Sequence, residues 1–241
     1  MKVKLDVHCH TVSSGHAYST VTENAAFAAQ LGLGYIGVAD HGPDMPGGAH
    51  LTHFSNLWTL PEVIHGVRVF KGAEVNIINT EGELDLPDDI LAKMEFVIAS
   101  LHRGVTPPSN KENHTAAIIN AMENPHVHIL GHPGDAWFDI DIEAVIKQAA
   151  NTRTIIEINN MSLNPGSIRY NGDEVLTEIL KLCREYNVPI LASSDAHYCT
   201  MIGDVDQAMA LINKFGIQEE QVLNTSVERF LGAVSVKSSV K

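Results

Sequence analysis

The chain has 241 residues, and its 29 acidic side chains against 16 Lys and Arg give a formal charge of −13. A surface that negative repels polynucleotides and anionic membranes, so a nucleic-acid-binding role is disfavoured. Hydrophobic residues at 44% and charged residues at 19% describe a globular chain with a sizeable core, and three cysteines supply no disulfide framework.

The opening "MKVKLDVHCH" lacks the apolar run and cleavage site of a signal peptide, and no segment approaches ~18 uninterrupted apolar residues. The expectation is a reduced, cytoplasmic protein with no membrane span, in which the sequons "NHT", "NMS" and "NTS" carry no glycan. Val3–Cys9 reads as a first strand, and "TENAAFAAQLGLG" as a helix with Thr22 as its N-cap and glycines at its end. Further strands are expected at 35–40, 68–76, 96–100, 127–131, 154–159 and 189–194. Helical patterns follow near 113–123, in "DIEAVIKQAAN", in "DEVLTEILKLCREYN", near 204–215 and in "SVERFLGAV". The last residues, from about 234, read as a frayed tail.

Strand ends recur at a spacing of roughly 30 residues, the size of one βα unit. Seven such units with no inserted domain predict a single domain over 1–241, folded as a distorted seven-stranded (β/α)7 barrel of the TIM type. A doubly wound open sheet is the alternative, because strand order is not readable from the pattern. "GLGYIG" matches the dinucleotide fingerprint only literally, since it leaves a helix and enters a strand rather than the reverse.

Polar residues gather where the strands end. His8 and His10 end the first strand, and His16 follows on its loop. His41 ends the second, Glu74 the third; His102 and His132 follow the fourth and fifth; Asp195 and His197 follow the seventh. In a parallel barrel these ends open onto one face, where sites are built. His8 and His10 are two apart and share a face of their strand, so Cys9 points toward the helix layer as a small core residue. Cys183 also reads as core and Cys199 as a free-thiol bystander. Imidazole with carboxylate suits zinc, with manganese or iron able to use the same ligands. Nine candidates exceed one tetrahedral ion and fit two ions, or three with a bridging carboxylate. His50 and His53 lie on a loop facing the same rim, where a substrate-side role is conceivable. Asn159 and Asn160 could orient ligands or merely cap a loop.

The motifs "DVHCHT", "HAYST", "ADHGPDM", "GAEVN", "SLHRG", "GHPGD", "EINN" and "SSDAH" resemble the polymerase-and-histidinol-phosphatase (PHP) family from about Val3 to Leu231. Within that family they are most similar to the trinuclear-zinc, YcdX-like group of phosphatases. The resemblance implies the seven-stranded barrel and three zinc ions per chain. His8, His10, Glu74 and Asp195 would hold one ion. Glu74, His102 and His132 would hold a second, with Glu74 bridging. His16, His41 and His197 would hold a third. The resemblance gives Arg103, directly after His102, no role; it is a candidate contact for a substrate phosphate or simply faces solvent. The expected activity is hydrolysis of a small phosphomonoester, with metal-activated hydroxide attacking phosphorus directly and no covalent intermediate. A phosphodiesterase or exonuclease on the same metals, and a non-catalytic metal-binding module, are the alternatives. The implied partner is a small phosphorylated substrate, and homo-oligomerisation stays open.

Overall fold

Each expected strand pairs in parallel with its successor, which settles the topology as a barrel. The computed structural model describes residues 1–171 and 173–239. The strands are β1 (Leu5–Cys9), β2 (Tyr35–Val38), β3 (Val63–Ile64), β4 (Val67–Asn76), β5 (Phe96–Ser100), β6 (Ile129–Leu130), β7 (Ile155–Asn159) and β8 (Ile190–Ser193). Their spatial order is β1-β2-β4-β5-β6-β7-β8, all parallel, while β3 pairs antiparallel with β4 off this path. The helices are α1 (Val21–Leu31), α2 (Leu51–Ser55), α3 (Asp88–Leu91), α4 (Lys111–Glu123), α5 (Ile142–Thr152), α6 (Asp173–Glu185), α7 (Asp206–Lys214) and α8 (Val227–Ser238). α2, α3 and β3 escape the sequence reading because they are too short to establish a period.

Local chemistry fixes the element ends. α1 is capped by Thr20, not Thr22: Thr20 Oγ1 accepts from Glu23 N–H, and the Glu23 carboxylate accepts from Thr20 N–H. This reciprocal pair satisfies two donors at once and leaves Thr22 inside the first turn. Asn110, Asp141 and Ser226 cap α4, α5 and α8 in the simpler one-bond manner.

The barrel interior is apolar at the end where the strands begin. Leu5, Val7, Phe70, Phe96, Ile98 and Leu191 cluster there with Phe230 and Val234 of α8. The Phe230 ring lies 5.8 Å from Phe70 and 6.2 Å from Phe96, so α8 plugs this end. Gly37 makes room for the Phe96 ring, since a Cβ there would come within 2.7 Å of it. The expected frayed tail from about 234 is instead helix through Ser238. Val234 and Lys237 continue the face begun by Phe230 at helical spacing, and both are buried. Lys237 Nζ donates to Met122 O at 2.6 Å. Residues 240 and 241 of that tail lie outside the described residues.

Closure between β1 and β8 is uneven, which is the distortion. Near the strand ends His10 N donates to Ala196 O at 2.8 Å and Ala196 N to His8 O at 3.1 Å. Deeper down Asn224 stands in the seam, its O accepting from Lys4 N at 2.8 Å and its Oδ1 from Ala192 N at 3.3 Å. β1 also contains a bulge. Asp6 pairs with Ile36, but Cys9 rather than His8 pairs with Val38. The extra residue resets the alternation. Leu5 and Val7 face the interior below it, His8 and His10 face it above, and Cys9 packs outside with Ala25 and Ala28.

Candidate metal centre

The strand ends bring all nine expected ligands to one rim, arranged in depth. His8, His10, His41 and Glu74 are fully buried, Asp195, His132 and His102 nearly so. His197 is half-buried and His16 exposed at the lip. Glu74, on β4, is the hub. Its Oε2 lies 3.4 Å from His8 Nε2, 3.6 Å from His10 Nε2 and 2.7 Å from His41 Nδ1. Its Oε1 lies 3.0 Å from His132 Nε2 and 3.2 Å from His102 Nε2. Asp195 Oδ1 reaches His10 Nε2 at 3.1 Å and His8 Nε2 at 3.5 Å. The His16 ring stacks 5.0 Å from His41 and 4.8 Å from His197.

Second partners turn the inward nitrogens toward the hub. His8 Nδ1 donates to Glu157 Oε1 at 2.5 Å, His10 Nδ1 to Ser14 Oγ at 3.0 Å and His102 Nδ1 to Asn76 Oδ1 at 2.7 Å. Each bond sets the tautomer in which Nε2 carries a free lone pair, as metal-ligating histidines require. His8 Nε2, both ring nitrogens of His41, His102 Nε2 and Glu74 Oε2 are buried without a hydrogen-bond partner among the described residues. Buried polar atoms left unpaired are costly, and so many converging acceptors are the arrangement a cation satisfies. His8–His10–Glu74, His41–Glu74–His102 and His10–His41–His197 each offer ligand atoms within 4.8 Å of one another. The donor set therefore fits divalent metal.

Electrostatics match this. Burial opposes ionisation of Glu74, but His102, His8 and His41 outweigh it and hold its carboxyl well below the usual range. Asp195 is likewise pushed up by burial and pulled well below by Arg169 and His8. Burial, with His41 beside it, pushes His10 well below the ordinary histidine value, and burial takes His102 down to about 4. These histidines are neutral at pH 7, the form that ligates. His8 differs: burial lowers it, but Glu157, Asp195 and Glu74 together raise it well above the ordinary value. Two ligand candidates also sit in left-handed backbone, His132 at φ 28° and Asp195 at φ 54°. Such strain in non-glycine residues gathers at functional sites.

Several contributors were not singled out from the sequence. Glu157, buried on β7, also accepts from His132 N at 2.6 Å. It shares the inward face with Ile155 and Asn159, so the same two-residue rule that found His8 and His10 would have found it. Asp40 accepts from Ser14 Oγ at 2.7 Å and lies 3.1 Å from His53 Nε2. Burial raises its pKa, but His53 and its other partners bring it to about 2. Arg169 sits on an irregular loop with no periodic signal. Its guanidinium pairs with Asp195 and lies 3.8 Å from Asp135.

Of the weaker candidates, Arg103 is exposed and stacks on Trp137. His50 is spent as the N-cap of α2. His53 lines a groove of about 780 Å³ with Thr11, Ser13 and Asn56, beside the ligand cluster and bordered by none of the nine. Asn159 serves both suggested roles, donating to Asp195 Oδ2 at 3.2 Å and accepting from Met161 N at 2.9 Å. Asn160 instead accepts from Ala208 N at 3.0 Å, anchoring α7. Cys9 and Cys183 are buried and Cys199 half-buried. No described helix is long and apolar enough to cross a membrane.

Comparison with known proteins finds relatives along the whole chain. A family model described as PHP-associated matches residues 176–224. A probable phosphatase of Clostridium novyi (strain NT) is 42% identical over 241 residues, covering 100% of this chain and 98% of that protein. The fold is similar to histidinol phosphate phosphatase of Lactococcus lactis subsp. lactis Il1403, solved with zinc, L-histidinol and phosphate. That match has a TM-score of 0.57 at 16% identity and covers 89% of this chain and 94% of that one. A chain in the cryo-EM structure of archaeal ribonuclease P with mature tRNA also matches, with a TM-score of 0.60 at 16% identity, over 97% of this chain and 90% of that one.

Proposed function

The chain belongs to the PHP family and is a phosphatase, and from that premise we propose that it hydrolyses small phosphomonoesters at a three-ion, zinc-preferring centre. The observation carrying the reading is the convergence on Glu74 of His8 Nε2 and His102 Nε2, whose opposite ring atoms are already bonded away, together with His41 Nδ1 and His132 Nε2. His8, His10, Glu74 and Asp195 would hold one ion; Glu74, His102 and His132 a second; His16, His41 and His197 a third. Bound there, such ions supply Lewis acidity, lowering the pKa of water toward about 7 and neutralising charge on the phosphoryl oxygens. Manganese or iron suits the same nitrogen and oxygen donors.

The protein's own groups do the rest. Glu157, Ser14 and Asn76 hold the histidine rings in orientation. Arg169, half-buried between Asp195 and Asp135, is a cation poised to meet a phosphate oxygen at the inner rim. Arg103, next to His102, is a second candidate contact. Direct attack of water on phosphorus, without a covalent enzyme intermediate, suits a site whose buried thiol Cys9 packs on the far side of its strand. Zinc, histidinol and phosphate in the Lactococcus lactis enzyme lend support to metal and to a small phosphorylated substrate.

The test is a panel of phosphomonoesters and diesters run on protein whose metal has been counted. About three ions per chain, monoester turnover and one ¹⁸O from labelled water in the released phosphate are expected. One ion or none would overturn the three-ion assignment. Faster turnover of a diester or of single-stranded DNA would replace the reading with a phosphodiesterase.

A further inference from the structure

We infer that Arg103 and Trp137 form the subsite for the substrate's leaving group, and that this group carries a second anion, a carboxylate or a phosphate. The inference rests on the phosphatase reading and sharpens it to a substrate class. Arg103 directly follows His102, so its backbone is fixed at the rim beside a ligand candidate. Its guanidinium carbon sits 3.9 Å from the Trp137 ring centroid. Trp137 is itself tied down: its backbone N donates to Asp135 Oδ1 at 2.9 Å and its indole Nε1 to Ile168 O at 3.1 Å. Asp135 faces Arg169, which pairs with Asp195. A run of contacts, one of them through the Trp137 backbone, thus leads outward from the candidate metal ligands to Arg103.

The two arginines on this run differ in their balance. Arg169 has two carboxylates to neutralise it. Arg103 is exposed and, among the described residues, has no carboxylate within 4.0 Å and makes no side-chain hydrogen bond. On a molecule of net charge −13, an arginine beside the site without an acidic partner is a departure from the surface around it. Stacking on the indole occupies one face of the guanidinium and leaves its N–H edge free for oxygen, in the geometry that suits carboxylate or phosphate. The same stacking covers the indole face, so a purely apolar leaving group gains less there. A cationic leaving group would be repelled.

The experiment uses metal-loaded protein and matched ester pairs: phosphoglycolate against ethyl phosphate, and propane-1,3-diyl bisphosphate against propyl phosphate. The anion-bearing member of at least one pair should be favoured about tenfold in kcat/KM, mainly through KM. The pair with the larger ratio identifies carboxylate or phosphate. Arg103→Gln should collapse the ratio to within about twofold of one, and Arg103→Lys should restore part of it. Equal kcat/KM within both pairs, or a preference that survives Arg103→Gln, overturns the proposal. A readout independent of turnover is indole fluorescence in a Trp58→Phe background, where Trp137 is the remaining tryptophan of two. Phosphonoacetate should perturb it at about tenfold lower concentration than methylphosphonate, and Arg103→Gln should remove the difference. If no ester is hydrolysed the phosphatase reading fails, while a retained difference between the two phosphonates keeps the anion subsite and its loss removes it.

Discussion

Glu157 shows what a single side chain contributes here. It touches no expected metal position, yet its carboxylate fixes the His8 ring and accepts the His132 backbone N–H. Replacing it by Gln keeps the volume but removes the charge that orients and enriches His8. Glu157→Gln should therefore weaken metal binding about 10- to 100-fold. Metal retained per chain after dialysis against graded chelator, with circular dichroism to verify folding, measures this. Retention equal to the parent protein would show that Glu157 only packs. The candidate ligands were legible because histidine and carboxylate are unusual at so many strand ends. Their supporting partners were less so: Ser14 and Asn76 are ordinary residues until geometry places them beside an imidazole, and only Glu157 carries a signal, as a carboxylate on the inward alternation of its strand.

His128 joins three elements. Its Nδ1 accepts from Val97 N in β5 at 3.0 Å, its own backbone N donates to Val97 O just before β6, and Nε2 donates to Ser238 Oγ in α8 at 2.9 Å. Burial, with His126 and Lys237 nearby, lowers its pKa to about 4, so it stays neutral in the folded protein. Unfolded, it protonates near ~6.5. Between these values the unfolded state binds more protons, so stability falls as pH drops from about 6.5 to 4, by up to ~3 kcal/mol. His128→Asn keeps an acceptor for Val97 without a titrating ring. Urea unfolding at several pH values should show a shallower acid slope in that window, and an unchanged slope would contradict this account. Long elements were readable from sequence because each carries several turns or alternations. α8 was cut short because "SVKSSVK" looks polar, although Val234 and Lys237 lie on its buried face.

At the scale of the molecule, a −13 chain concentrates its ionised Glu74, Glu157 and Asp195 inside one end of a barrel. Divalent cations bound there oppose that charge and are bound by the folded state alone. Exhaustive chelation should lower Tm by roughly 5–10 °C, from ~2.7 kcal/mol of linkage at a hundredfold excess over Kd and ~2–4 °C per kcal/mol at this size. Readdition of zinc should restore it, and a Tm unmoved by verified metal removal would mean that the cluster is self-sufficient. The barrel itself was foreseeable from strand spacing, whereas the seam at Asn224 and the plug of α8 depend on contacts between distant segments. The bulge in β1 has a wider consequence. It makes the first strand two rulers joined out of phase, one graduated for the apolar floor and one for the imidazoles. If the same residues ran in unbroken alternation from the lower pairing, the composition of the site would be unchanged, yet His8 and His10 would turn outward and Cys9 inward. The centre is specified by an offset as much as by its ligands.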